Sequence, residues 1–350
     1  MAYTRGAYKS LVICDEEEYG VAPAGNTATA RYLRRVEGAL TLGRDIMRSE
    51  EILTSMQVRD ARHGVRRVSG RLRGQLSPGA YKEFFNAILR TNWVTGTSGS
   101  IALTATATAD TVTFTRGTGS FLTDGYKIGD LVWIPTVGGT PFSATENANR
   151  LNDRNMRIRI LTATVMNCAY DRQYSHGVLT GSLSTLDVVT PQTVALKVRG
   201  KKALISPSNQ DFKSFTIEQY FHDADTAPIS ELYTGCMVQS LRITVPPAGM
   251  VQFEASIIGQ DMTRDSTRYF TAASAMSTDP SLNGIAGEIR VAGIERNFIT
   301  GFSLQLVNQI DSPAVIGSTL VPQLFPGTLV VEGQLQGLTP DFTIQDLLLN

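Results

Sequence analysis

The stretch VSGRLRGQLSPGAYKEFFNAIL at residues 68–89 returns near the end of the chain as VEGQLQGLTPDFTIQDLLLN at 331–350, and a chain that writes one supersecondary unit twice has few ways to fold. Val68, Gly70, Leu72 and Gly74 in the first copy, and Val331, Gly333, Leu335 and Gly337 in the second, recur at a spacing of two. That is the period of a strand whose alternate side chains share a face. A hydroxyl residue and a proline follow each run, Ser77-Pro78 or Thr339-Pro340, and read as an N-cap with Pro at N1, where its missing N–H is harmless. The first helix then carries Ala80, Tyr81, Phe84, Phe85, Ile88 and Leu89 at the spacing of a buried stripe, and the second carries Ile344, Leu347 and Leu348. Upstream, VEGALTL from Val36 is matched by ITGFSLQL from Ile299, so that Val36 to Ile299, Gly38 to Gly301 and Val68 to Val331 are each 263 positions apart. Duplication of one β unit accounts for the constant offset.

Between the copies the texture changes. Residues 98–200 are rich in Thr, Val and Ile, broken by Gly-Thr-Gly and Asp-Gly turns, and read as a small closed β module inserted into the duplicated framework. MRIRIL at 156–161 alternates strictly, VALKVRGKKALI at 194–205 brings the chain back out, and the polar stretch 141–155 reads as a loop. The framework resumes with KSFTIEQYF and a strand pair turning at Pro246-Pro247-Ala248-Gly249. The expected organisation is a first unit with an N-terminal arm at 1–97, the module at 98–200, and the remaining framework with the second unit at 201–350. After its helix the second unit is expected to lack return strands, so that either the chain is cut short or the duplication is incomplete.

With 32 basic and 32 acidic residues there is no global field to gather nucleic acid or anionic lipid, and 18% charged residues among many Gly, Ser and Thr favour an ordered β-rich chain. Cys14, Cys168 and Cys236 lack any CxxC pairing, which points away from a disulfide framework or zinc site and fits a reducing compartment. The apolar run Leu11–Cys14 is too short for a signal-peptide core. Ser312–Val331 has the length of a membrane span without a charge, but Pro313, Pro322 and Pro326 interrupt it.

Chemistry is hard to place on this chain. His63, His176 and His222 form no metal-ligand pattern, the glycine-rich runs lack GxGxxG or GK[ST], and no GxSxG appears. No catalytic, cofactor-binding or metal-ligating residue is assigned, and an enzyme is not expected. Charge does cluster: Arg59, Arg62, Arg66, Arg67, Arg71 and Arg73 surround the first copy, with Asp60 the one acid among them. Such a run suits phosphates, or it pairs with carboxylates such as Asp15, Glu16, Glu17 and Glu18 of a neighbouring chain. We take the second reading, which makes these ten residues the candidates for self-association.

EEEYGVAPAGNTATARYLRRVEGALTL, then SEEILTSMQVRDARHGVRRVSGRLRGQLSPGAYKEFF, FTIEQYF and YTGCMVQSLRITVPPAGMVQFEASIIGQDM resemble the major tail tube proteins of long-tailed bacteriophages, and GSFLTDGYKIGDLVWI is similar to a β insertion found in some of them. The resemblance implies a mainly β tail-tube-type sandwich or barrel with flanking helices, here duplicated and carrying a small inserted β-barrel. It also implies a virion protein made in the bacterial host cytoplasm, needing no cofactor. As a tail tube, it would polymerise as stacked rings around a lumen that holds the tape-measure protein and then passes DNA, bounded by tail terminator and tail tip proteins, with no membrane role. A duplicated chain closes such a ring with three copies, pseudo-hexameric, in place of six. The module should project outward, since on the inner wall it blocks the channel, and the arginines should face protein. A capsid decoration or adhesion module that does not polymerise is the competing reading.

Overall fold

The structure, a computed structural model, describes residues 9–338 apart from 49–60, 78, 109–110, 143–150, 171–185, 204–209, 223–227, 286–288, 292–293 and 296–297. The chain separates into two compact units, residues 93–204 and the remainder. In chain order the framework opens with β1 (Lys9–Asp15), β2 (Arg31–Tyr32), β3 (Glu37–Arg48), β4 (Ala61–Gln75) and the helix α1 (Lys82–Leu89). The inserted unit holds β5 (Trp93–Thr95), β6 (Ser98–Ala107), β7 (Thr111–Thr115), β8 (Leu131–Trp133), β9 (Met156–Leu161), β10 (Val165–Tyr170), β11 (Leu186–Val198) and β12 (Lys201–Ala203). The framework resumes with β13 (Phe215–Phe221), β14 (Ile229–Val245), β15 (Gln252–Gly259), β16 (Asp261–Asp265), the short pair β17 (Arg290–Val291) and β18 (Ile294–Glu295), and finally β19 (Ile299–Asp311) and β20 (Phe325–Gly337).

The long strand β14 belongs to two sheets. Its first half pairs with β13 and β16, and β13 carries on to β1 and β2. Its second half lies between β15 and β19, giving the antiparallel order β3-β4-β15-β14-β19-β20. The strand changes sheets at Gly235, whose φ of 63° is a left-handed value that side chains disfavour. A Cβ there would also lie 2.8 Å from the Gln260 side chain.

Alternation explains which residues enter the core. Leu11 and Ile13 of β1 join Ile217, Tyr233, Leu241, Phe253, Ala255, Leu72 and Leu40 between the sheets, closed by Phe84 and Ile88 of α1. Val12 and Cys14 point the other way into a smaller cluster with Leu232 and Phe270, which is why Leu11–Cys14 reads as an unbroken apolar run. Each such side chain contributes about 1.5–3 kcal/mol when fully buried.

The expected cap at Ser77-Pro78 is not where the helix begins. The helix starts at Lys82 with Tyr81 at the N-cap and no side-chain cap, while the Ser77 hydroxyl accepts from Arg34. Packing, not capping, fixes this start: Tyr81 stacks on Phe253 with centroids 4.0 Å apart and donates to the Arg34 carbonyl at 2.8 Å. Its hydroxyl lies over Gly74, where a Cβ would come within 1.8 Å of it. The expected second helix falls outside the described residues, so α1 is the one helix among those described.

The two hairpins β3/β4 and β19/β20 do reproduce each other, with one correction to the constant offset. A register shift between Ile299 and Gly301 absorbs one extra residue, so Gly38, which faces Leu72, corresponds in space to Phe302, which faces Leu335, and not to Gly301. Past that bulge the pairs Leu40–Gly70 and Leu42–Val68 recur as Leu304–Gly333 and Leu306–Val331.

The inserted unit is a closed barrel of order β10-β7-β6-β11-β8-β9, with β5 and β12 paired where the chain enters and leaves. Phe114, Phe121, Tyr126, Val132, Ile134, Met156, Met166 and Leu196 fill it. Gly125 supplies the φ of 88° that its Asp-Gly turn requires.

Candidate assembly surface

The sheet β3-β4-β15-β14-β19-β20 turns its apolar side to the core and α1, and its other side is polar because alternation puts Arg, Glu, Ser and Gln there. One register row crosses all these strands: Glu37, Arg73, Glu254, Arg242, Gln305 and Glu332. Signs alternate along most of it, and Arg73 lies 3.6 Å from both Glu37 and Glu254. A neighbouring row holds Gln75, Gln252, Thr244, Ser303 and Gln334, without a charge. Exposed pairs of this kind contribute little stability, about 0–1 kcal/mol each, but they neutralise the face. Within the described residues, β3 and β20 each have one edge without a partner strand.

The arginine cluster is divided by this geometry. Arg71 and Arg73 stand on the polar face, with Arg71 3.0 Å from Glu254. Arg66 lies 3.0 Å from Asp261, and Arg67 is 3.8 Å from Asp45 and donates to Ser312 at 2.8 Å. Arg62 sits near the outer end of the first hairpin, opposite Met47, and Arg59 falls outside the described residues. Within the chain, the carboxylates beside these arginines are Glu37 and Asp45 of the same hairpin and Glu254 and Asp261 of strands distant in sequence.

The four acids at 15–18 are not one cluster either. Asp15 lies 3.7 Å from Lys213. Glu16 is committed inside the framework: one carboxylate oxygen accepts from Thr216 Oγ1 and the Gly235 N–H at 2.8 Å each, the other from Ser214 Oγ at 2.6 Å and the Gly20 N–H at 2.9 Å. It receives the Gly235 N–H where β14 passes between sheets. Glu17 and Glu18 are exposed.

A second buried polar centre joins the copies. Arg90, left-handed at φ 54° just past α1, is 8% exposed and donates to Gln210 Oε1 at 2.9 Å, to Asn308 Oδ1 at 3.0 Å and to the Gly327 carbonyl. Asn308 lies at the second bulge of β19/β20, so the guanidinium holds backbone that the ladder leaves irregular. Sequence reasoning missed Arg90 because its partners lie more than a hundred residues away. It also missed Arg242, Glu254 and Glu332, although their alternation with apolar neighbours was a usable signal.

Cys14, Cys168 and Cys236 are free and buried, and burial pushes each thiol up from its ordinary value. No group of three or more metal-ligating side chains occurs there. His63 is paired opposite Ile46, His222 contacts Ser10 at 3.1 Å, and His176 lies outside the described residues. No described helix is long and apolar enough to cross a membrane, and the charge-free stretch 312–331 forms a loop followed by part of β20.

No curated protein matches the chain. A family model described as phage tail tube protein matches residues 6–350. A match of that extent, on a mainly β framework whose one sheet has a neutralised polar face, places this chain in the phage tail tube protein family, as a structural component of the virion tail.

Proposed function

We propose that copies of this chain close into rings that stack into a tube, and that the tube is the conduit for the genome, around the tape-measure protein before ejection and with terminator and tip proteins at its ends. The observation that carries this reading is the row from Glu37 to Glu332. It lies on one continuous polar face whose outermost strands, β3 and β20, have no further partner strand among the described residues; on β3 the Gly38 carbonyl is held by Lys9 and the Leu40 N–H and carbonyl by Gln219, so pairing is open there beyond Leu40. Addition of β20 of one copy to β3 of the next extends the sheet and removes both edges. Turned inward, in place of the expectation that the arginines face protein, this face presents each phosphate with Arg71 and Arg73 already paired to carboxylates, so DNA slides without being gripped in a salt-dependent way.

The duplicated hairpin favours three chains per ring, which sets six related hairpins around the axis. The inserted barrel is dispensable for closure, since a closed barrel has no edge strand to share. Negative-stain microscopy of the purified protein tests the reading: rings or tubes are expected, including from a variant in which a Gly-Ser linker replaces residues 93–204. Particles that remain monomeric at high concentration contradict it.

A further inference from the structure

A strand added to a sheet edge needs a register, and alternation fixes only part of it. A slip of one residue turns every side chain of the added strand to the wrong face, but a slip of two restores the faces. On β3 an inward slip of two meets an obstruction built into the fold. Gly38, Leu40 and Leu42 stand opposite Leu72, Gly70 and Val68 of β4. In an antiparallel ladder alternate residues turn their N–H and C=O away from the partner strand. At Leu40 both outward groups are taken: the N–H donates to Gln219 Oε1 at 3.0 Å, and Gln219 Nε2 donates to the carbonyl at 3.0 Å. At Gly38 the carbonyl accepts from Lys9 Nζ at 3.2 Å. Leu42, two positions on, turns its groups to the same edge, where no partner strand follows among the described residues.

One side-chain amide of β13 therefore makes at Leu40 the two bonds that a residue of an added strand would make. It is firmly held. Gln219 is 1% exposed, and its Nε2 also lies 2.8 Å from the Tyr233 hydroxyl and 3.2 Å from Glu231 Oε2. The Tyr233 hydroxyl is itself 2.8 Å from the Leu40 carbonyl, and Glu231 Oε1 accepts from Arg264 at 2.6 Å. An incoming strand could replace the bonds to Leu40, but it would leave the displaced amide, Tyr233 and Glu231 with buried polar atoms short of partners. Exchange at Leu40 is unfavourable for that reason, whereas pairing at Leu42 displaces nothing of this network.

We propose that Gln219 is the register stop for strand addition to β3: it closes the edge through Leu40, so that a strand supplied by the next copy begins its pairing at Leu42 and does not slide two residues inward. The stop rests on the strand-edge closure proposed above and adds the residue that decides its register. Gln219 touches no other copy in this role. It acts by occupying backbone groups of its own chain, which is how a buried side chain far from β3 in sequence comes to determine specificity at an edge.

Hydrogen exchange on the full chain, before and after assembly, tests the stop. In unassembled wild-type protein the Leu40 amide should exchange at least about tenfold more slowly than the Leu42 amide. On assembly Leu42 should slow by at least about tenfold while Leu40 stays as it was. Gln219→Met keeps the length of the side chain and removes its amide. In that variant Leu40 should exchange as fast as Leu42 before assembly and become protected on assembly, because the added strand moves inward. Assembled Gln219→Met in which Leu42 is protected and Leu40 is not overturns the stop and leaves the closure standing. Should Gln219→Met fail to fold, the wild-type chain still decides, since equal exchange of Leu40 and Leu42 before assembly overturns the stop. Wild-type tubes in which Leu42 gains no protection overturn the strand-edge closure, and the stop with it. Wild-type protein that never assembles overturns the tube reading as a whole.

Discussion

The hairpins β3/β4 and β19/β20 share a strand pattern and differ in what covers them. Along one inward register row, Leu72, Ala255, Leu241 and Leu306 are all nearly inaccessible, and the row ends on Val331 at 58% exposure. Leu72 is 2% exposed beneath α1, whereas its counterpart Leu335 is 41% exposed. A Cβ on Gly70 would come within 2.5 Å of the Ala39 carbonyl oxygen, while one on its counterpart Gly333 would meet nothing within 4 Å. The first copy is therefore finished within the described residues, and the second presents core-type side chains at a sheet edge. A repeated pattern specifies a hairpin; it does not specify the neighbours that bury it.

The sharpest way to break this comparison is to remove the same side chain from both copies. Leu72→Ala should cost about 2–5 kcal/mol in urea unfolding, because it leaves a cavity under α1, and Leu335→Ala less than about 1 kcal/mol in the monomer. Equal losses contradict the assignment of unequal cover. Next in size, Gly70→Val should destabilise by about 2–3 kcal/mol by pushing β3 away at Ala39 and Leu40, while Gly333→Val stays within about 0.5 kcal/mol.

How much of this was legible in the sequence follows the range of the interactions. The period-two runs announced both hairpins, and the Thr-rich stretch announced the inserted barrel, because strand alternation is local. The bulge at Ile299–Gly301 was hidden, since one extra residue shows itself only against a partner strand. The helix start was misplaced because Ser77-Pro78 looks like a cap, whereas the decisive contact, Tyr81 on Phe253, spans the chain. The arginines were seen but not their partners within the chain: Arg71 and Glu254 meet through the β4–β15 register, which no spacing in the sequence encodes.

A smaller effect isolates the link between copies. Arg90→Met leaves Asn308 and the Gly327 carbonyl without their donor and should lower stability by about 1–3 kcal/mol. Hydrogen-exchange protection should fall in β19 and β20 but stay unchanged in β3 and β4. Uniform loss of protection denies the guanidinium its local role.

The smallest expected effect belongs to the first hairpin. Lys9 donates to the Gly38 carbonyl at 3.2 Å, and burial, then the nearby Arg35, lowers its amine from 10.5 to about 8. Between those two values the folded chain has released a proton that the unfolded chain still holds, so this group makes stability rise with pH across that window. Lys9 is only partly buried, so the contribution should stay below about 1 kcal/mol. Comparing Lys9→Met with wild type from pH 8 to 10 should show the variant lacking that rise, and parallel curves refute it.

Cryo-electron microscopy of assembled protein tests the central proposal most directly, because it shows which hairpin lies beside which. The expected reconstruction has three chains per ring, β20 of each beside β3 of the next, and the row from Glu37 to Glu332 facing the lumen. A ring of six identical chains contradicts the proposed ring order, and one in which β3 and β20 do not meet, or in which that row faces outward, contradicts the proposed closure.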